Sequence, residues 1–176
     1  KMGIPTMIHE QNSIIGLTNK ILIKKVDKIV CCYQKAYNEF PHEKTVLLGN
    51  PRASVVSSRR LQDIHHLYQI PRDRKTVVIV MGSLGSSSVN TVMKEALRDM
   101  QHDAYDVIYV TGKNYYESMR ADLHDLNSSI HLVDYIDDMP SLIASCDLIV
   151  SRAGATTLAE ITALGAASLI IPSPYV

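Results

Sequence analysis

The chain has 176 residues, 46% of them hydrophobic, enough to enclose a real core in one large or two small domains. Its 18 basic and 18 acidic residues balance, so no global field draws the molecule to nucleic acid or an anionic membrane, and any anion site must be local. Cys31, Cys32 and Cys146 show no Cys-x-x-Cys spacing and lie in or beside apolar runs, which suits buried thiols in a reducing cytoplasm better than a disulfide framework. No apolar stretch reaches the roughly 18 residues of a membrane span, and no signal peptide is evident, so a soluble protein is expected.

In chain order, strand patterns are expected at Thr6 to Ile8, Lys28 to Cys32 and Val46 to Leu48, around a helix from about Ile14 to Lys25. Gly49-Asn50-Pro51 is a turn signal, and the polar Ser54 to Arg60 stretch reads as a crossing between two units. Beyond it, β-branched runs at Thr76 to Met81, Asp106 to Thr111, Ile130 to Val133, Leu148 to Ser151 and Ser168 to Ile171 are continuously apolar, as in strands covered on both faces. Helical patterns at Val89 to Met100, Tyr115 to Leu126, Met139 to Ser145 and Thr157 to Leu164 alternate with them. That order predicts βαβ crossovers and a doubly wound parallel sheet. Both ends run straight into or out of apolar segments, so an internal piece of a longer chain is expected.

Two strand-to-helix junctions carry glycine. Met81-Gly82-Ser83-Leu84-Gly85-Ser86-Ser87-Ser88 would let a backbone approach a ligand beside a helix N-terminus, a natural place for phosphate; a tight Ser-capped turn would look similar. Ser151-Arg152-Ala153-Gly154-Ala155-Thr156-Thr157-Leu158-Ala159-Glu160 repeats the arrangement, and both junctions fall where open α/β sheets bind ligands. Glu160 suits either a ribose diol or favourable placement near a helix dipole. The run His9-Glu10-Gln11-Asn12 is richer in polar groups than helix capping requires, and a polyhydroxylated ligand is a reasonable guest. His42, His65, His66, His102, His124 and His131 show no metal-ligand spacing and read as surface or packing residues. Asp137-Asp138 opens a helix with its two side chains diverging, so no metal is implied there.

Together these segments resemble a family. The residues are Ile4-Pro5-Thr6, His9-Glu10-Gln11-Asn12, Gly16-Leu17-Thr18-Asn19, Gly49-Asn50-Pro51, Gly82-Ser83-Leu84-Gly85 with Asn90, Ile136-Asp137-Asp138-Met139, and Ser151-Arg152-Ala153-Gly154-Ala155 with Glu160. In order and spacing they are similar to the bacterial undecaprenyl-diphospho-muramoylpentapeptide N-acetylglucosaminyltransferases of peptidoglycan synthesis, in glycosyltransferase family 28. The resemblance implies a GT-B fold of two Rossmann-like domains, the first incomplete in this chain. Residues 1–52 would end the acceptor-side, membrane-facing domain and residues 53–176 would form most of the UDP-sugar donor domain.

The resemblance also implies roles. Ser83, with Gly82 and Gly85, would contact the donor diphosphate. Ile136 would read the uracil edge through its backbone, and Ala155, Thr156, Thr157, Leu158, Ala159 and Glu160 would hold ribose and phosphate. Asn12 would touch the sugar, with His9, Glu10 and Asn90 at polar positions lining the cleft, and Arg52, Arg152 and Gly154 are further candidates. Two positions depart from the family pattern: Arg52 follows Pro51 directly, with Ala53 where the arginine is usual, and Met81 replaces the first glycine of a usual pair.

The reaction so implied is inverting transfer of N-acetylglucosamine from UDP-N-acetylglucosamine to the 4-hydroxyl of an undecaprenyl-linked muramoyl-pentapeptide at the cytoplasmic membrane surface, without metal, cofactor or nucleic acid. The family's histidine base and its glutamine motif would lie outside these residues, so the piece alone is expected to turn over little. His9 or Glu10 could act on protons, and a positioning or structural role is the commoner reading of either. Ile14, Ile15, Leu17, Ile21 and Leu22 with Lys20, Lys24 and Lys25 fit either a basic amphipathic membrane surface or, more commonly, a helix packed on a sheet. Rival readings are another GT-B enzyme, such as a lipid glucosyltransferase or a UDP-N-acetylglucosamine epimerase, and a non-catalytic UDP-sugar-binding subunit. An NAD oxidoreductase would need a fuller glycine fingerprint with an acid about 20 residues on.

Overall fold

The computed structural model describes residues 3–82, 85 and 87–172. Ser83 therefore lies outside the described residues. The chain divides into two compact units, Lys1–Ser58 and Arg59–Val176.

The first unit is a three-stranded parallel sheet, β1 (Met7–Glu10), β2 (Lys28–Cys31) and β3 (Thr45–Leu47), in the order β1-β2-β3. Its crossovers carry α1 (Leu17–Leu22) and α2 (Gln34–Glu39), and it closes with α3 (Pro51–Ser57). Ile15, Ile29, Cys31, Ala36 and Phe40 form its core. The helix expected from Ile14 to Lys25 is shorter, because Ile15 drops into that core and Gly16 becomes the N-cap. The stretch expected as a crossing from Ser54 is instead helical to Ser57. Asn50 caps α3 by accepting from the Arg52 N–H, and Pro51 starts it where a missing N–H costs nothing. The break after Ser58 falls within the expected Ser54 to Arg60 crossing, later than the expected domain boundary after residue 52.

The second unit opens with a short helix, α4 (Ile64–Tyr68), capped by Asp63. There follow β4 (Lys75–Val80), α5 (Ser87–Met100), β5 (Tyr105–Val110), α6 (Tyr116–Asp122), β6 (Ile130–Val133), α7 (Met139–Ser145), β7 (Leu148–Arg152), α8 (Ala155–Leu164) and β8 (Ser168–Ile171). The strands are all parallel, in the order β6-β5-β4-β7-β8. Successive residues alternate between two buried faces. Val78, Val80, Ile108 and Val110 pack toward α4, α7 and α8, and Ile79, Val107 and Tyr109 toward α5 and α6. Burial on both faces explains why these strands read as continuous apolar runs. α6 stops at Asp122, short of the expected Leu126. Leu123 and Leu126 still pack on the core from the turn that follows, so the apolar period outlasts the helix.

Candidate functional site

The strand order reverses direction between β4 and β7, the first strand of the second unit and its neighbour on the other side. In open α/β sheets the crevice at the carboxyl ends of such a strand pair holds the ligand. A cavity of about 340 Å³ lies there. Val80 and Val110 form its floor, Gly82 leaves β4 beside it, and Tyr135, Ile136 and Met139 close one wall from the β6–α7 connection. Ser151, Arg152, Gly154, Thr156 and Thr157 supply the other wall, so the hydroxyl groups and the one guanidinium gather on the β7–α8 side.

That side is suited to an anion. Gly154 is the N-cap of α8 and offers no side-chain acceptor, so the first-turn N–H groups remain for a ligand, where the helix dipole is positive. Arg152 reaches from the end of β7 to donate to the Pro172 carbonyl at 2.9 Å, which ties β7 to the chain beyond β8 and steadies the wall. Across the cavity, Ile136 is buried in the core, and Asp138 caps α7 by accepting from the Ser141 N–H and hydroxyl. Arg59 pairs with the same carboxylate at 3.1 Å. The backbone of residues 136 to 138 is therefore held from both ends. The Lys113 ammonium sits 4.6 Å over the ring of half-exposed Tyr135 at the rim.

The glycine loop after β4 is tight. Gly82 has φ of +110° and Gly85 has φ of +72°, and the Gly85 N–H donates to the Gly82 carbonyl at 3.1 Å. A methyl on Gly85 would stand 2.3 Å from the Thr111 carbonyl oxygen, so only glycine lets this turn lie against β5. Met81, in place of the family's glycine, is buried in the cluster with Leu97 and Tyr109.

Of the residues expected at a donor site, Gly82, Ile136, Thr156 and Thr157 meet at this cavity, together with Arg152 and Gly154. Ala155, Leu158 and Ala159 share α8 without forming its walls, and Glu160 is buried in the helix's second turn. Asn90 is also turned inward. Its Nδ2 donates to the Thr111 carbonyl at 3.2 Å and its Oδ1 accepts from the Tyr109 hydroxyl, so its polar ends serve the packing of α5 on β5. Burial pushes that phenol up to about 12, keeping it a donor. Tyr135 was missed from sequence, where only its position beside Ile136 could have marked it, and Met139 was named in the Ile136 to Met139 segment without a role of its own. A wider depression of about 670 Å³ lies at the opposite, amino ends of the strands. Its Arg74 already pairs with Asp106, which His131 also bonds, at the wrong end of the sheet for a ligand.

In the first unit, Glu10 organises the His9-Glu10-Gln11-Asn12 run. Its Oε1 accepts from the Asn12 N–H and Nδ2 at 2.9 and 3.2 Å, and its Oε2 from the Gly16 N–H and Asn19 Nδ2 at 2.8 and 2.9 Å. Burial raises the carboxyl, but these donors outweigh it and hold Glu10 below its ordinary range. An ionised carboxylate with four donors is a poor base, and Glu10 here ties the loop from Asn12 to Asn19 together. Asn12 is exposed beside it, and His9 Nε2 lies 3.2 Å from Cys32 Sγ. The Arg52 N–H is used in the α3 cap.

Two α/β units, each built on a parallel sheet and the second with a cavity at its switch point, match the fold of GT-B glycosyltransferase structures. The family model "Glycosyltransferase family 28 C-terminal domain" matches residues 76–176, and the chain belongs to that family. It is 45% identical, over its whole length and 49% of the relative's, to the UDP-N-acetylglucosamine--N-acetylmuramyl-(pentapeptide) pyrophosphoryl-undecaprenol N-acetylglucosamine transferase of Halalkalibacterium halodurans. The chain thus spans about half the length of the curated relatives it matches. Among solved structures, Acinetobacter baumannii MurG superposes with a TM-score of 0.69 at 26% identity, over 99% of this chain and 48% of that one. The S. aureus MnaA-UDP co-structure superposes with a TM-score of 0.71 at 14% identity, over 97% and 52%, a likeness of fold.

Proposed function

We propose that this chain is part of an inverting glycosyltransferase. It would move N-acetylglucosamine from UDP-N-acetylglucosamine to the 4-hydroxyl of the N-acetylmuramoyl unit of an undecaprenyl-linked pentapeptide precursor, a step of peptidoglycan synthesis. The observation that carries this reading is the cavity at the β4–β7 switch point, with the uncapped N-terminus of α8 on one wall. The 45% identity to a transferase of that name supports the choice of sugar and acceptor.

In this reading the Arg59–Val176 unit holds the donor. Uracil lies against Ile136 and Tyr135, and the diphosphate meets the α8 N–H groups with the Thr156 and Thr157 hydroxyls. Negative charge grows on that diphosphate as the sugar leaves, and preformed N–H dipoles stabilise it without reorganising. Glu160, buried behind this turn, holds the ribose side of the helix. The acceptor hydroxyl attacks from the opposite face of the sugar. The first unit belongs to the acceptor side, where Glu10 braces Asn12.

The same reading gives α1 a membrane role. Among the described residues no helix is long and apolar enough to cross a bilayer. Ile15 and Ile23 at the ends of α1 pack into the core and the helix lies against β1, while Leu17 and Ile21 on its other side stand 75% and 62% exposed. Lys20, Lys24 and Lys25 flank them, a pattern suited to the surface of an anionic bilayer at the cytoplasmic face.

Calorimetric titration with UDP-N-acetylglucosamine tests the donor site, with UDP-glucose and NAD as controls. Selective uridine binding is expected, and Thr157→Ala should weaken it about tenfold, the loss of one hydrogen bond to a charged group. Equal binding of NAD, or unchanged affinity in Thr157→Ala, would overturn the assignment of this cavity.

A further inference from the structure

We propose that Cys32 is a positioning residue for His9: its thiol donates to Nε2 and fixes the imidazole in the Nδ1–H form, so His9 offers a ligand oxygen a hydrogen-bond donor rather than a base. The backbone brings the two together. β1 and β2 pair in parallel with His9 opposite Val30 and Glu10 opposite Cys31, and the Cys32 N–H donates to the Glu10 carbonyl at 3.0 Å. Strand alternation then puts His9, Val30 and Cys32 on one face and Glu10 and Cys31 on the other. The side chains meet at the carboxyl ends of the strands, with Sγ 3.2 Å from Nε2.

The direction of the bond follows from chemistry. A neutral thiol sulfur is a weak acceptor, whereas an imidazole nitrogen lone pair is a good one, so the proton sits on sulfur and points at Nε2. Transfer to a thiolate–imidazolium pair is opposed, because burial and the nearby Glu10 charge both push the Cys32 thiol up. The bond made by one ring nitrogen sets the state of the other. Nδ1 must then carry the hydrogen, and Nε2 cannot take a proton from a sugar hydroxyl unless Cys32 moves. The role of that Nδ1–H toward a ligand rests on the acceptor-side reading above; the tautomer does not.

The test is nitrogen NMR on the histidine-labelled chain at a pH where the ring is neutral, the His9 signal being the one lost in His9→Gln. The Nδ1–H signature is expected in the unaltered chain, its loss to Nε2–H in Cys32→Ala, and its rescue in Cys32→Ser, whose hydroxyl still donates. An Nε2–H signature in the unaltered chain, or an unchanged tautomer in Cys32→Ala, would overturn the proposal. If Cys32→Ala does not fold, the unaltered chain and Cys32→Ser decide it alone. The measurement needs no ligand, so failure of UDP-sugar binding would count against the proposed function and leave this result standing.

Discussion

Glu10 shows how one buried carboxylate can order a loop that sequence reads only as polar. It is 2% exposed, and it collects donors from Asn12, Gly16 and Asn19, so its removal would strand several of them. Glu10→Ala should cost about 2 to 4 kcal/mol in chemical denaturation. Because its folded pKa lies below the ordinary value of 4.5, its contribution is complete above that value and is lost as pH falls through the folded pKa. A stability profile against pH should therefore fall in acid, and the Glu10→Gln variant should show a smaller fall. At the other end of the range, burial raises the thiols of Cys31 and Cys32 and pushes Cys146 up to about 11. All three should resist iodoacetamide at neutral pH while the chain is folded and react together once it is denatured, as mass spectrometry would read.

At the scale of elements, the contact of α5 with β5 rests on a polar pair inside an apolar layer. Asn90 and Tyr109 satisfy each other, and Asn90 also takes the Thr111 carbonyl at the strand end. Tyr109→Phe leaves the Asn90 oxygen buried without that donor, so a loss of about 1 to 3 kcal/mol is expected in denaturant midpoint, with uridine binding unchanged. Gly85→Ala is expected to act in the opposite way. The added methyl would press on the Thr111 carbonyl and must shift the loop after β4, so donor affinity should fall more than global stability does.

For the molecule as a whole, the division at Ser58 and Arg59 falls in an exposed stretch that carries Arg59 and Arg60. Limited trypsin digestion should cut there first, and the larger product should keep its affinity for UDP-N-acetylglucosamine. The smaller unit carries the proposed membrane contact. Sedimentation with anionic vesicles should therefore pull down the intact chain, and Lys20→Glu together with Lys24→Glu should abolish that binding while neutral vesicles show little from the start.

Much of the second unit was legible from local pattern alone. Buried strands leave continuous apolar runs, and glycine must appear where backbone turns tightly at a strand end, so the strands and both candidate loops could be located before any contact was known. Asn50-Pro51 and Asp63 were equally local helix starts, but they were hidden because the helices that follow, Pro51–Ser57 and Ile64–Tyr68, are too short for an apolar period to show. Strand order, the meeting of Gly82, Ile136 and Thr157 at one cavity, the inward turn of Asn90, and the contact of His9 with Cys32 depended on residues far apart in the chain. Those features are decided by which faces pack together, and packing is a property of the whole tertiary fold that periodicity along one segment does not encode.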